Sequence, residues 1–124
     1  MRGNMAYLRR EKEIVEMDFS LVEVWAAITK AIVSLEWTAE ETDETTHRVK
    51  ARTKPSFMSY RSLIIVDAVA VGERTTRVSV TAETPTTTIT GIVDFGRTRE
   101  RIDLFLSALM RQLSPAKPEP KKTT

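Results

Sequence analysis

Between Glu13 and Phe19 the chain alternates. Val15, Met17 and Phe19 fall on one side and Glu16 and Asp18 on the other, the period-two signature of a half-buried strand. At Ser20 the period changes. Leu21, Trp25, Ile28, Ile32 and Leu35 recur at helical spacing, which predicts a helix from Leu21 to about Leu35. Ser20 followed three residues later by Glu23 has the form of a capping box, and Phe19 with Val24 has the spacing of a hydrophobic staple. A hairpin follows, with arms over Trp37–Thr42 and His47–Lys54 and a turn around residues 43–46. In its second arm Val49, Ala51 and Thr53 share one face, while Arg48, Lys50, Arg52 and Lys54 share the other; Pro55 ends it, because proline cannot donate to a ladder. Tyr60–Val71 is the most apolar run and predicts a central strand. Gly72-Glu73-Arg74 turns the chain into another alternating strand, with Val78, Val80 and Ala82 inward, which Pro85 is expected to end. The polar run Thr84–Thr90 has no pattern and reads as an edge strand, as a loop closing over one end of the sheet, or, the preferred reading, as an ordinary connection to the last helix. Ile102, Phe105, Leu106, Leu109 and Leu113 then form the apolar stripe of a last helix.

The order is therefore β-α-β-β-β-β-α. Hairpin connections make the sheet antiparallel, and two one-sided helices must bury their stripes on one sheet face. The expected fold is α+β: a two-layer arrangement of a curved five-stranded antiparallel sheet with two helices on one side. If Ile14 with Ile64 or Val66 faced away from those helices, the outer sheet face would be expected to be covered. The length of 124 residues fits one domain, read as residues 1–114, followed by a disordered Pro/Lys tail at 115–124.

Composition narrows the chemistry. With no cysteine there is neither a disulfide framework nor a thiolate metal site. No apolar run approaches the roughly 20 residues of a membrane span, and the N-terminus lacks a leader's apolar core, so a cytoplasmic setting is expected. Either Met1 or Met5 fits as the native start. Net charge is +2, but the tail holds three Lys and one Glu, so residues 1–114 carry 16 basic and 16 acidic groups. A neutral body offers nucleic acid no steering field, and nucleic-acid binding is not expected.

The motifs are few. The basic ladder of Arg48, Lys50, Arg52 and Lys54 either tracks phosphates or pairs across the hairpin with Glu40, Glu41, Asp43 and Glu44; the second reading is preferred, since opposite charges commonly hold a solvated sheet face. His47 is the single histidine and has no ligand spacing around it, so no metal is expected. No nucleophile elbow, phosphate loop or dinucleotide fingerprint occurs, so no catalytic residue and no cofactor is assigned. At Asp94-Phe95-Gly96-Arg97 two readings stand. Asp94 acts as a catalytic acid beside an anion site built from Arg97, Arg99 and Arg101 at a helix N-terminus, with Arg97 and Arg101 sharing a face, or it simply caps that helix; the cap is preferred.

The stretches "DFSLVEVWAAITKAIVSLEW" and "DFGRTRERIDLF", set in this order of elements, resemble the helix-grip group, which includes START-type and pollen-allergen ligand carriers and is similar to the halves of TATA-binding protein. The junction of aspartate, aromatic, glycine and basic residue resembles one in small uncharacterised bacterial and archaeal domains of about this length. The resemblance implies a terminal helix resting in a curved sheet. A large cavity is not expected, because bulky groups such as Trp25, Ile28, Phe105 and Leu109 fill the interior. A small apolar pocket near Trp25, Phe57, Tyr60, Phe95 and Phe105 is the candidate ligand site. The expected function is a non-catalytic interaction or scaffold module, with a homodimer through an edge strand or sheet face as one form. The alternative is a small apolar-ligand binder using the groove between sheet and C-terminal helix. An enzyme is not expected.

Overall fold

The structure, a computed structural model, describes residues 6–54, 61–87 and 97–113. Seven elements follow in order: β1 (Ala6–Met17), α1 (Leu21–Ser34), β2 (Thr38–Asp43), β3 (Arg48–Arg52), β4 (Leu63–Gly72), β5 (Thr75–Thr87) and α2 (Arg97–Leu113). The strands form one antiparallel sheet in the order β1-β5-β4-β3-β2, so β1 and β2 are its edges. Both helices pack on one face, as the pattern required.

Parity shows how. Val49 and Ala51 on β3, Ile64, Val66 and Ala68 on β4, and Val78, Val80 and Ala82 on β5 are all buried. They meet Val24, Ala27, Ile28, Ala31 and Ile32 of α1 and Ile102, Phe105, Ala108 and Leu109 of α2 in one cluster. Ile64 and Val66 thus point at the helices, not away from them. On the outer face Ile14, Leu63, Ile65 and Val69 carry apolar side chains, of which Ile65 is buried and Ile14 and Val69 are largely exposed.

Helix α1 begins as read. Ser20 Oγ accepts from the Glu23 N–H, and the Glu23 carboxylate accepts from the Ser20 N–H at 3.0 Å. It ends in a Schellman motif: the Glu36 N–H donates to Val33 O and the Trp37 N–H to Ile32 O, with Glu36 in the left-handed region at φ 63. That turn drops Trp37 into the core, where its ring stacks on Phe105 with centroids 6.3 Å apart.

Two strand limits differ from expectation. β1 starts at Ala6, well before Glu13, and the strand pattern is hard to see there because Arg9, Glu11 and Glu13 at its inward positions are charged and carry no apolar signal. β5 runs through Pro85 to Thr87. Pairing with β4 starts at Glu83, so at Pro85 only β1 lies alongside, and a missing N–H is tolerated where a strand has one free side. The strand expected from Tyr60 starts at Leu63, after Arg61 and Ser62, while Tyr60 and the tail fall outside the described residues. No helix among the described residues is long and apolar enough to cross a membrane.

Candidate functional site

The terminal helix α2 lies over β5 and the edge strand β1, and its residues Arg99, Asp103, Leu106 and Met110 follow one another at spacings of four, three and four along a single side. That side faces the inward positions of β1. The seam between them has two unlike halves.

In the first half the contacts are ionic and hydroxylic. Arg99 donates to Glu13 on β1 and lies 3.6 Å from Asp103 one turn on. Arg9 pairs with Glu11 at 3.8 Å. Beneath the start of α2 a chain of buried hydroxyls crosses the sheet end. The Ser62 N–H donates to Thr53 Oγ1 at 2.8 Å, Ser62 Oγ and Thr84 Oγ1 are 2.5 Å apart, and Thr98 Oγ1 donates to Thr84 Oγ1 at 2.9 Å. Arg101 completes it by donating to Ser62 Oγ at 2.5 Å. Each of these hydroxyl-bearing residues is buried, and the chain lets them share donors and acceptors as a desolvated polar group must.

The second half is apolar and open. Val15, Met17 and Phe19 form one wall and Leu106 and Met110 the other, with Glu16 and Asp18 completing a groove of about 310 Å³. Met17 is buried at its floor, whereas Met110 is 46 % exposed at its lip. The wall is fixed from behind, since Thr76 Oγ1 donates to Phe19 O at 2.8 Å and Ser20 enters the capping box at once.

Of the aromatic residues singled out from sequence, Trp25 and Phe105 are described, and they lie apart. Trp25 is half-buried on the far side of α1, where its indole N–H donates to Glu44 at 2.7 Å and its ring meets His47 edge-on at 5.2 Å. It braces the β2–β3 turn, in which His47 has φ 58 and the Asp43 carboxylate accepts from the Thr45 and Thr46 N–H groups. Those backbone donors, Thr46 first, hold the Asp43 carboxyl below its ordinary value. Phe105 is fully buried against Trp37 and presents no surface to a ligand. The structure does not bring Trp25 and Phe105 together. Phe57, Tyr60 and Phe95 lie outside the described residues, as do Asp94 and Gly96 of the junction. Arg97 is the first residue of α2, and Arg101, one turn on, is engaged with Ser62.

The basic ladder is paired throughout. Lys50 meets Glu41 at 3.7 Å and Arg52 meets Glu40 at 3.2 Å, as expected across the hairpin. Arg48 turns instead to Asp67 on β4 at 3.4 Å, and Lys54 to Glu36 at 2.7 Å. A wider depression of about 500 Å³ runs along this hairpin, but Glu41, Asp43, Glu44, Arg48 and Lys50 make its walls a solvated charged surface. Among the described residues no group of His, Cys, Asp and Glu is arranged to hold a metal.

No family model matches the chain, and no curated protein matches it by sequence. Solved structures do match in fold. Truncated norcoclaurine synthase from Thalictrum flavum is 9 % identical, with a TM-score of 0.69 over 94 % of this chain and 100 % of the other. Zhui aromatase/cyclase from Streptomyces sp. R1128 is 11 % identical, with a TM-score of 0.58 over 90 % and 99 %. A START superfamily protein from Mycobacterium smegmatis is 8 % identical, with a TM-score of 0.62 over 86 % and 97 %. The chain therefore has the START-like fold.

The expectation that this architecture excludes an enzyme is corrected by the same finding. Two of these neighbours are enzymes by name, so the fold carries catalysis. The lack of triads and phosphate loops in the sequence is no argument against it, because function lives in sites grafted on folds.

Sequence reasoning placed a possible groove between the sheet and the C-terminal helix but missed its lining residues on β1 and α2. Val15, Met17 and Phe19 were legible as one face, but nothing local told that Leu106 and Met110 would stop short of closing over them. The usable signal was Met110, an apolar residue lying off the Ile102–Phe105–Leu109 stripe. The hydroxyl chain also had a signal: Thr84 shares the inward parity of Val78, Val80 and Ala82.

Proposed function

We propose that this protein binds a small, predominantly apolar molecule in the groove between β1 and α2. The observation that carries the reading is the groove: an apolar cleft at the lower end of the size range of small-molecule sites, walled by residues that stay partly exposed in an otherwise closed core. Exposed apolar walls of this kind gain by being covered. A bicyclic aromatic body burying about 150 Å² there would gain on the order of 4 kcal/mol, which corresponds to a dissociation constant near the millimolar range before any polar contact is added. The START-like fold supports the same location, since the groove lies where the terminal helix rests on the sheet.

Leu106→Trp provides the test. The larger ring fills the groove from a partly buried position at the edge of the buried cluster. Fluorescence titration of the wild-type protein with a neutral naphthalene alcohol is expected to saturate at one site, and the Leu106→Trp protein to bind at least tenfold more weakly. Equal binding by both proteins would remove the groove as the site. Native mass spectrometry of freshly purified protein adds an independent readout, because a tightly held molecule travels with the chain.

A further inference from the structure

Resting on that reading, we infer that the groove selects a cationic amphiphile, a molecule with an apolar body and a protonated amine, and that Asp18 is the residue that takes the charged end. The acids of β1 and its continuation carry the argument. Glu11 pairs with Arg9, Glu13 with Arg99, and Glu16 with Arg77 at 3.0 Å. Asp18, just beyond Met17 where the pairing of β1 and with it the strict alternation end, lines the groove and is exposed, yet among the described residues its side chain has neither an ion pair nor a hydrogen bond. Of the cations nearest in register, Arg77 is already bound through both Nε and Nη2 to Glu16, and the charge of Arg74, in the turn before β5, bears on Glu23 of the α1 cap. Among the described residues no basic side chain lines the groove on either wall.

The chemistry then discriminates between ligand classes. A neutral body seated beside Asp18 strips water from a carboxylate and returns nothing, and an anion adds repulsion. An ammonium group at the lip replaces that water with a charge-assisted hydrogen bond, while the rest of the molecule covers Val15, Phe19, Leu106 and Met110. The pairing of the other three acids makes the lone carboxylate a feature of this end of the seam alone, and it coincides with the only stretch of the seam whose facing wall on α2 is apolar among the described residues.

The test compares three probes of one shape: 2-(2-naphthyl)ethylamine, the matching naphthyl alcohol and 2-naphthylacetate, titrated by fluorescence at pH 7 and low salt into wild-type, Asp18→Asn and Leu106→Trp proteins. The amine is expected to bind about fivefold tighter than the alcohol to the wild type, the factor that a partly exposed ion pair carries, and the acetate more weakly than either. In Asp18→Asn the three should converge, and 0.5 M salt should shrink the wild-type preference. Equal binding of amine and alcohol by the wild type, with both lost in Leu106→Trp, overturns the charge assignment and leaves the groove reading standing. An amine preference that survives Asp18→Asn overturns the role of Asp18. Binding of the alcohol that Leu106→Trp does not weaken overturns the groove reading and this inference with it.

Discussion

The two halves of the β1–α2 seam are built from the same pair of backbones and behave as opposites. Where Arg99 and Asp103 face Glu13, and Thr98 and Arg101 face Thr84 and Ser62, the helix is tied down by directional contacts. Where Leu106 and Met110 face Val15, Met17 and Phe19, the helix stands off and leaves about 310 Å³. The difference teaches which force closes a seam of this geometry. Hydroxyls and ions demand partners once water is excluded, so each one draws the helix toward the sheet until a hydrogen bond forms. Apolar side chains have no such demand at one distance. They accept being half-covered, and the uncovered half becomes a binding surface. The two halves are also remote: Thr84 pairs with Arg9 and Val78 with Val15, and those six residues along β5 amount to about 20 Å.

Breaking the core on which the whole of α2 rests gives the largest effect. Phe105 is fully buried and stacks on Trp37, so Phe105→Ala should cost about 3–5 kcal/mol, read as a lower denaturation midpoint. A loss below about 1 kcal/mol would mean that the stack is not the keystone of the interior. Thr84→Val comes next. The valine keeps the volume but removes the oxygen shared by Ser62 and Thr98, leaving Thr98 with an unmatched hydroxyl at a cost of about 1–3 kcal/mol. The same variant sharpens the comparison, because sites this far apart are independent and naphthyl-probe binding should not change.

Legibility in the sequence divides along the same line. The apolar parity of β3, β4 and β5 and the stripes of both helices could be read directly, because a period of 2.0 or 3.6 is imposed by the backbone itself. The capping box at Ser20 and Glu23 could be read because it is local. The first half of β1 could not: Arg9, Glu11 and Glu13 occupy inward positions, and only the arrival of Arg99 from 86 residues away makes them part of the interior side. The aromatic residues Trp25 and Phe105 invited a pocket because aromatics line pockets, yet one braces a turn and the other fills the core. A groove is a shortfall between two surfaces that meet only in the fold, and no local pattern encodes it.

The wall of the groove ends in the α1 cap, which gives the third effect. Ser20→Ala removes the acceptor of the Glu23 N–H and should cost about 1 kcal/mol by thermal unfolding. The cap also has a pH signature. The Ser20 N–H, first, and the Ser20 hydroxyl, the only one of the two donors lost in Ser20→Ala, hold the Glu23 carboxyl below its ordinary value of 4.5. A depressed carboxyl contributes stability that is present above its unfolded value and lost as pH falls through the folded one. The Ser20→Ala penalty should therefore be largest near neutral pH and shrink on acidification below about 4.5, and a penalty that grew in acid would contradict the cap's charge-assisted character. Because Phe19 adjoins Ser20, a loosened cap should also weaken probe binding, which Thr84→Val should not.

Met110→Ser should have the smallest effect on stability and separates the halves most cleanly. Met110 is 46 % exposed, so removing its thioether should change unfolding free energy by no more than about 0.5 kcal/mol, the range of ordinary surface substitutions. Its contribution to the groove is larger than its contribution to the fold, because the surface it leaves uncovered in the free protein is the surface a ligand would cover. Naphthyl-alcohol affinity should fall several-fold while the denaturation midpoint stays put. Thr84→Val should show the reverse, a lower midpoint with unchanged affinity. If Met110→Ser instead destabilised the chain and left affinity alone, the lip would belong to the packed core, and the open half of the seam would be no different in kind from the closed one.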